Sequence, residues 1–265
     1  MVVLTNGIGT TENFWRFIVE DLSRDYTVVH WDYRGHGTTP VSKSGDYSLR
    51  TQADDLARVT RAVSDPAGPP PVHLAFSMGV AVLIELYREH PELVRAMGLI
   101  AGAPDAPGTG TGLFRVPGSQ LAARALAFLA TPLVPLVAPV VKVFLRSRLP
   151  YPVAQFAGVL EAHAPREDID VFLAGVAGMD PLAYWRSLRA LLGVRGSDVL
   201  ARITVPVLII AAANDLLMPL GQVEEMRRGL PRARFVCIEG AGHAGLVEKG
   251  VEMATAVRAF MDEVR

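Results

Sequence analysis

The sequence predicts an α/β protein: a mostly parallel central sheet of about six strands flanked by helices, interrupted by one helical insertion. Three observations lead there. Apolar runs of strand length alternate with segments of helical periodicity from Val2 to Ile100, which is the pattern of consecutive βαβ units. The alternation breaks at Ala103-Pro-Asp-Ala-Pro-Gly-Thr-Gly-Thr-Gly112, and from there to about Asp198 helical segments follow without a convincing strand. It resumes at Val205 and closes on a helix from about Val251 to Val264.

Taken in order, Met1-Val-Val-Leu-Thr5 reads as the opening strand and Tyr26-Thr-Val-Val-His-Trp31 as the next. Asp54-Asp55-Leu56 falls on a helix, and Pro71 to Ala75 is a short apolar run that suggests a buried strand. Val80, Ala81, Leu83, Ile84 and Tyr87 then recur at helical spacing, and Met97 to Ala101 is again strand-like. Beyond the insertion, Val205 to Ala213 and Ala233 to Ile238 supply the last two strands. The chain therefore divides into a core of residues 1–103 and 199–265 and an insertion of residues 104–198.

The junction Ala75-Phe76-Ser77-Met78-Gly79 carries the chemistry. A strand enters it and a helix leaves it, so the turn is sharp and its central side chain projects from the sheet. Residues two positions to either side must be small to avoid collision, and Ala75 and Gly79 are. A serine there is a poor nucleophile until a base takes its proton, and the base needs an acid to fix its tautomer. Both follow downstream: Asp215 at the end of the Val205 to Ala213 run, and His243 in the glycine-rich loop Glu239-Gly-Ala-Gly-His243. Asp105, just after the Met97 to Ala101 strand, and Asp198, ahead of the strand leading to Asp215, are alternative acids.

Four separated blocks make the chain resemble the α/β-hydrolase family over nearly its whole length. They are Asn6-Gly7-Ile8-Gly9 followed by Trp15, Asp32-Tyr-Arg-Gly-His-Gly37, the Ser77 turn and the His243 loop. The resemblance implies Ser77 as nucleophile, His243 as general base and then acid, Asp215 as its orienting carboxylate, and the backbone N–H groups of Ile8 and Met78 as oxyanion hole. Two positions depart from the family pattern: Ala75 stands where glycine is usual, and Asn6 where histidine is usual. Members commonly carry two strands ahead of the one that Met1 to Thr5 matches, so Tyr26 to Trp31 becomes an outer, apolar edge strand. That edge is expected to pair with a second subunit, as a homodimer, or to be covered by chain upstream.

The insertion corresponds to the family's cap over the active site. Its segment Ala125 to Val141 has no charge, but Pro132, Pro135 and Pro139 break it and Arg124 and Lys142 bracket it at less than the usual spanning length. It is expected to form cap helices packed on the core rather than a membrane span. With Phe76, Phe156, Phe172 and Trp185 it would line an apolar pocket, and His163, near Glu161, is a candidate substrate contact. His30, His36, His73 and His90 read as structural, hydrogen-bonded residues. The implied activity is hydrolysis of carboxylic esters of small or medium apolar acids through an acyl-enzyme. Lactone hydrolysis is the alternative, because Asn6-Gly-Ile-Gly-Thr10 ahead of Trp15 is similar to enol-lactone hydrolases. Carbon–carbon bond hydrolysis and cofactor-free perhydrolysis also occur on this scaffold, as do non-catalytic ligand-binding homologues.

Composition fits a chain of this kind. A length of 265 residues, half of them hydrophobic, is enough for one sizeable core. The net charge is −1, from 26 basic and 27 acidic residues, with no long basic run, so nucleic acid is not an expected partner. No cluster has metal-ligand spacing, no cofactor is implied, and Gly108-Thr-Gly-Thr-Gly112 lacks the lysine of a phosphate loop. The single cysteine, Cys237, reads as a small buried hydrophobe in a core strand. No secretory signal pattern opens the sequence, which points to a cytoplasmic location.

Overall fold

The computed structural model describes residues 1–107 and 119–265, so the Gly108 to Gly112 run lies outside the described residues. The elements run β1 (Val2–Thr5), α1 (Arg16–Leu22), β2 (Val28–Trp31), α2 (Leu49–Val63), β3 (Val72–Phe76), α3 (Met78–Glu89) and β4 (Ala96–Ile100). Five helices follow: α4 (Ser119–Leu129), α5 (Val134–Leu145), α6 (Pro150–Phe156), α7 (Arg166–Gly178) and α8 (Pro181–Leu191). The chain returns to the sheet with β5 (Val207–Ala212), α9 (Leu220–Gly229) and β6 (Arg234–Ile238), and ends with α10 (Gly245–Glu248) and α11 (Gly250–Glu263).

All six strands are parallel, in the order β2-β1-β3-β4-β5-β6. Parallel strands covered on both faces need apolar residues at every position rather than every second one. Accordingly β1, β3, β4 and β5 are buried along their whole length. The two-residue period sorts their side chains onto the two faces. Val2, Leu4, Leu74, Leu208 and Ile210 meet Ile18 and Leu22 of α1 and Met253, Val257 and Phe260 of α11. Val3, Ala75, Leu99 and Ile209 meet Leu56 of α2, Val82 and Leu86 of α3 and Met226 of α9. At the margins β2 pairs with β1 alone and β6 with β5 alone, and Cys237 on β6 is only half-buried, not the core residue expected.

Chain direction decides where chemistry collects. Because the strands are parallel, the segments after β1, β3, β5 and β6 all emerge at one edge of the sheet. The order reverses at β1, whose sequence neighbour β2 lies on one side while β3 lies on the other. Ligand sites of open α/β sheets form at such a switch point, outside the carboxyl ends of the strands.

The helices between β4 and β5 contradict one expectation. The apolar stretch Ala125 to Val141 does not pack on the core. Pro132 and Pro135 fall in opening turns, where a missing N–H removes no helical bond, so they start a 3₁₀ turn and α5 rather than merely breaking a span. α5 then meets the body of the protein along a narrow stripe, with only Val134 and Ala138 buried, and Leu126, Phe128, Leu129, Leu136 and Val140 stay exposed.

Candidate active site

The turn after β3 is strained. Ser77 sits at φ 53°, ψ −118°, in a region that side chains avoid, and is held there by its N–H donating to Ile100 O at 3.0 Å. Close approach of the neighbouring loop imposes the glycine: a Cβ on Gly79 would lie 2.6 Å from Thr5 O and 2.7 Å from Asn6 O, backbone atoms that cannot yield. Gly102 at the end of β4 has the same function, since a Cβ there would be 2.5 Å from Ser77 O. Sequence reasoning missed it; a glycine directly after the strand beside the turn was the available signal.

Three side chains from three strand ends meet. Ser77 Oγ lies 2.9 Å from His243 Nε2, and His243 Nδ1 lies 2.8 Å from Asp215 Oδ2. The carboxylate can only accept, so Nδ1 carries the proton and Nε2 is left to accept from the serine hydroxyl. Asp215 is buried, and its other oxygen accepts the N–H groups of Leu217 and Met218, both at 2.8 Å, which fixes its rotamer. The alternative acids are engaged elsewhere. Asp105 accepts from the Gly196 and Ser197 N–H groups, and Asp198 forms an ion pair with Arg88.

The loops carrying these groups are braced by residues that the sequence did not single out. Asn214 N–H donates to Ala241 O at 2.9 Å, tying the aspartate loop to the histidine loop. Glu248 is buried, and its two carboxylate oxygens accept Gly242 N–H at 2.7 Å and Glu161 N–H at 3.0 Å. Burial pushes its pKa up, against the pull of these two donors. No short-range pattern marks it, because its partners come from the histidine loop and the insertion.

The loop after β1 is fixed by Asn6. Its Oδ1 accepts Trp15 Nε1–H at 2.8 Å, its Nδ2 donates to His30 Nε2 at 2.8 Å, and its backbone carbonyl accepts the Tyr33 hydroxyl at 2.7 Å. Burial lowers the His30 pKa, which suits an accepting neutral ring. Beyond Asn6, Gly7 and Ile8 face the same cavity as Ser77. Met78 is the first residue of α3, so its N–H has no partner within the helix.

That cavity, about 180 Å³, is lined by Phe14, Phe76, Ile169, Phe172, Leu173 and Leu217, with Ser77 and His243 at its wall. Phe76 and Phe172 thus stand where expected. Three other expected contacts do not. Phe156 is 95% exposed, because α6 turns Pro150 and Ala154 to the cavity instead. His163 is exposed on the segment between α6 and α7. Trp185 lines a second, half-open apolar groove of about 490 Å³ between α5, α7 and α8, with its indole N–H on Ala127 O at 3.1 Å. Tyr184 borders both cavities and was not anticipated. Among the described residues no group of three or more His, Cys, Asp or Glu side chains is arranged to hold a metal ion.

Comparison with known proteins agrees with this architecture. The sequence profile described as alpha/beta hydrolase fold matches residues 1–250. A relative from Pseudomonas syringae pv. syringae, named "Putative carbamate hydrolase RutD", is 30% identical, with 98% of this chain and 93% of the relative covered. Among solved structures, the enol-lactonase from Burkholderia xenovorans LB400 superposes with a TM-score of 0.73 at 20% identity, covering 98% of this chain and 90% of that one. A thermophilic esterase from Thermogutta terrifontis gives a TM-score of 0.75 at 20% identity, covering 99% of this chain and 89% of that one.

Proposed function

The chain belongs to the alpha/beta hydrolase fold family, and from that premise we propose that it is a serine hydrolase cleaving carboxylic esters with small to medium apolar acyl groups. One observation carries the reading: the unbroken run of hydrogen bonds from Ser77 through His243 to Asp215, opening on a cavity walled by hydrocarbon. In the first half-reaction Ser77 Oγ attacks the ester carbonyl while His243 Nε2 takes its proton, and the Ile8 and Met78 N–H groups receive the developing oxyanion. His243 returns the proton to the departing alcohol, leaving an acyl-Ser77. Water then attacks, again giving its proton to His243, and the acid leaves with Ser77 restored.

The pocket bears on substrate class. Among the described residues no lysine or arginine lines the cavity that holds Ser77, so it offers a neutral apolar acyl group a better environment than an anionic one. This favours a neutral ester or lactone over an ionised carbamate, one substrate that the relatives' name allows. The test is labelling by a fluorophosphonate probe, followed by rates on p-nitrophenyl esters of increasing chain length, a lactone and a carbamate. Ser77→Ala is expected to abolish labelling and to lower ester turnover at least about 10³-fold. Folded wild type that takes no label would instead assign the chain to the ligand-binding members of the fold.

A further inference from the structure

The insertion presents a surface that neither the fold nor the catalytic reading requires. Over residues Leu121–Leu145 the most apolar window has a mean hydropathy of 2.0, yet only 6% of it is buried. Leu136, Val140 and Val143 form an outward stripe on α5, at i, i+4 and i+7, each more than 70% exposed. Leu126 and Leu129 on α4 add to it, and Leu149, Val153 and Phe156 extend it along α6. Apolar patches this extensive on a soluble chain mark an interaction site.

Charge identifies the occupant. From residue 119 to residue 160 the sequence carries Arg124, Lys142, Arg146 and Arg148 and no Asp or Glu, in a chain whose net charge is −1. Among the described residues none of these four cations is ion-paired. A second copy of the chain would bring like charges together across a two-fold axis with no acid to offset them. An anionic lipid surface complements both the cations and the hydrocarbon. By length and composition Leu121–Leu145 is enough to cross a bilayer, but the 3₁₀ turn Thr131–Leu133 interrupts it and Val134 and Ala138 hold α5 to the body of the protein, so docking on the surface fits better than crossing.

We propose that the α4–α6 face docks on the surface of an anionic membrane, with its apolar side chains inserted among the acyl chains and the exposed Arg146 and Arg148 at the headgroups. The consequence for catalysis is geometric. α6 exposes Val153 and Phe156 to the lipid while giving Pro150 and Ala154 to the Ser77 cavity, so an apolar ester could pass from the lipid phase to the site without crossing water. The docking itself does not depend on the catalytic reading.

Flotation with phosphatidylcholine vesicles, with and without phosphatidylglycerol, tests it. Phosphatidylglycerol is expected to raise the bound fraction at least about tenfold, and added salt to reduce it. The triple variant Leu136→Glu, Val140→Glu, Val143→Glu should lose vesicle binding while keeping wild-type turnover of a soluble short-chain ester, or wild-type thermal melting if that turnover is absent. Ser77→Ala should float as wild type does, so the two proposals fail separately. Equal binding to neutral and anionic vesicles would overturn the proposal. So would failure of folded wild type to float, and so would a dimer, stable without lipid, that the triple variant dissociates.

Discussion

Asp215 holds His243 with one oxygen and spends the other on two backbone N–H groups, so orientation and local packing can be separated by choice of substitution. Asp215→Asn keeps the shape and one accepting oxygen but lets the amide donate to Nδ1, which favours the wrong tautomer. Turnover is expected to fall about 10³- to 10⁴-fold with a melting temperature close to wild type. A near-normal rate would move the orienting acid elsewhere. Glu248 acts one step further out. In Glu248→Gln only one oxygen remains for the Gly242 and Glu161 donors, so the histidine loop loosens and kcat is expected to drop about tenfold with KM little changed. Unchanged kcat in a folded variant would reduce Glu248 to a structural residue. The contrast shows what a sequence displays at this scale. Ser77, Asp215 and His243 are visible because each follows a strand, and parallel strands deliver their ends to one edge. Glu248 is invisible because its partners are backbone N–H groups, one six residues upstream in the histidine loop and the other in the insertion. Phe156 and Trp185 do not reach the Ser77 cavity because a helix of the insertion reveals its apolar residues in sequence but not which side it turns to the pocket, and His163 lies on the exposed segment between α6 and α7.

Among the elements, β3 joins the catalytic turn to a source of acid sensitivity. His73 is fully buried in this strand, with Nε2 on Leu93 O at 3.2 Å and no partner for Nδ1 among the described residues. Burial holds its pKa down at about 4, against an ordinary 6.5. Between those values the unfolded chain binds a proton that the folded chain refuses. The stabilisation is therefore complete above about pH 6.5 and is lost as the pH falls through about 4, on the order of 3 kcal/mol at most. His73→Leu, which keeps an apolar side chain in the strand, should flatten the denaturant midpoint across this window, measured against wild type at each pH. An equally steep acid loss in the variant would place the sensitive group elsewhere. The strands themselves were legible because continuous apolar runs bounded by turn residues have few other outcomes in an alternating chain. The insertion was less so. Uncharged helical stretches ordinarily denote burial, and α4 and α5 meet too little of the protein to bury theirs.

For the molecule as a whole, the open question is how the sheet and the insertion divide control of the substrate, and Tyr184 is where they meet. It stands on α8 between the cavity of about 180 Å³ at Ser77 and the half-open groove of about 490 Å³ between α5, α7 and α8. The Gly9 loop also approaches it: a Cβ on Gly9 would lie 3.2 Å from the Tyr184 ring, so the tyrosine is wedged against the end of β1 and its loop. The smaller cavity alone suits a short acyl group, and the ring closes the way to the larger one. Tyr184→Ala should join the two spaces while leaving Ser77, His243 and Asp215 untouched. Each methylene newly buried is worth about 0.8 kcal/mol, or roughly a fourfold gain. The ratio of kcat/KM for octanoate over butyrate esters is therefore expected to rise at least about tenfold, with the rate on acetate little altered. A ratio unchanged in a folded, active variant would show that the acyl chain leaves the Ser77 cavity by another route, past Pro150 and Ala154 of α6, and that the larger cavity has no part in choosing the substrate.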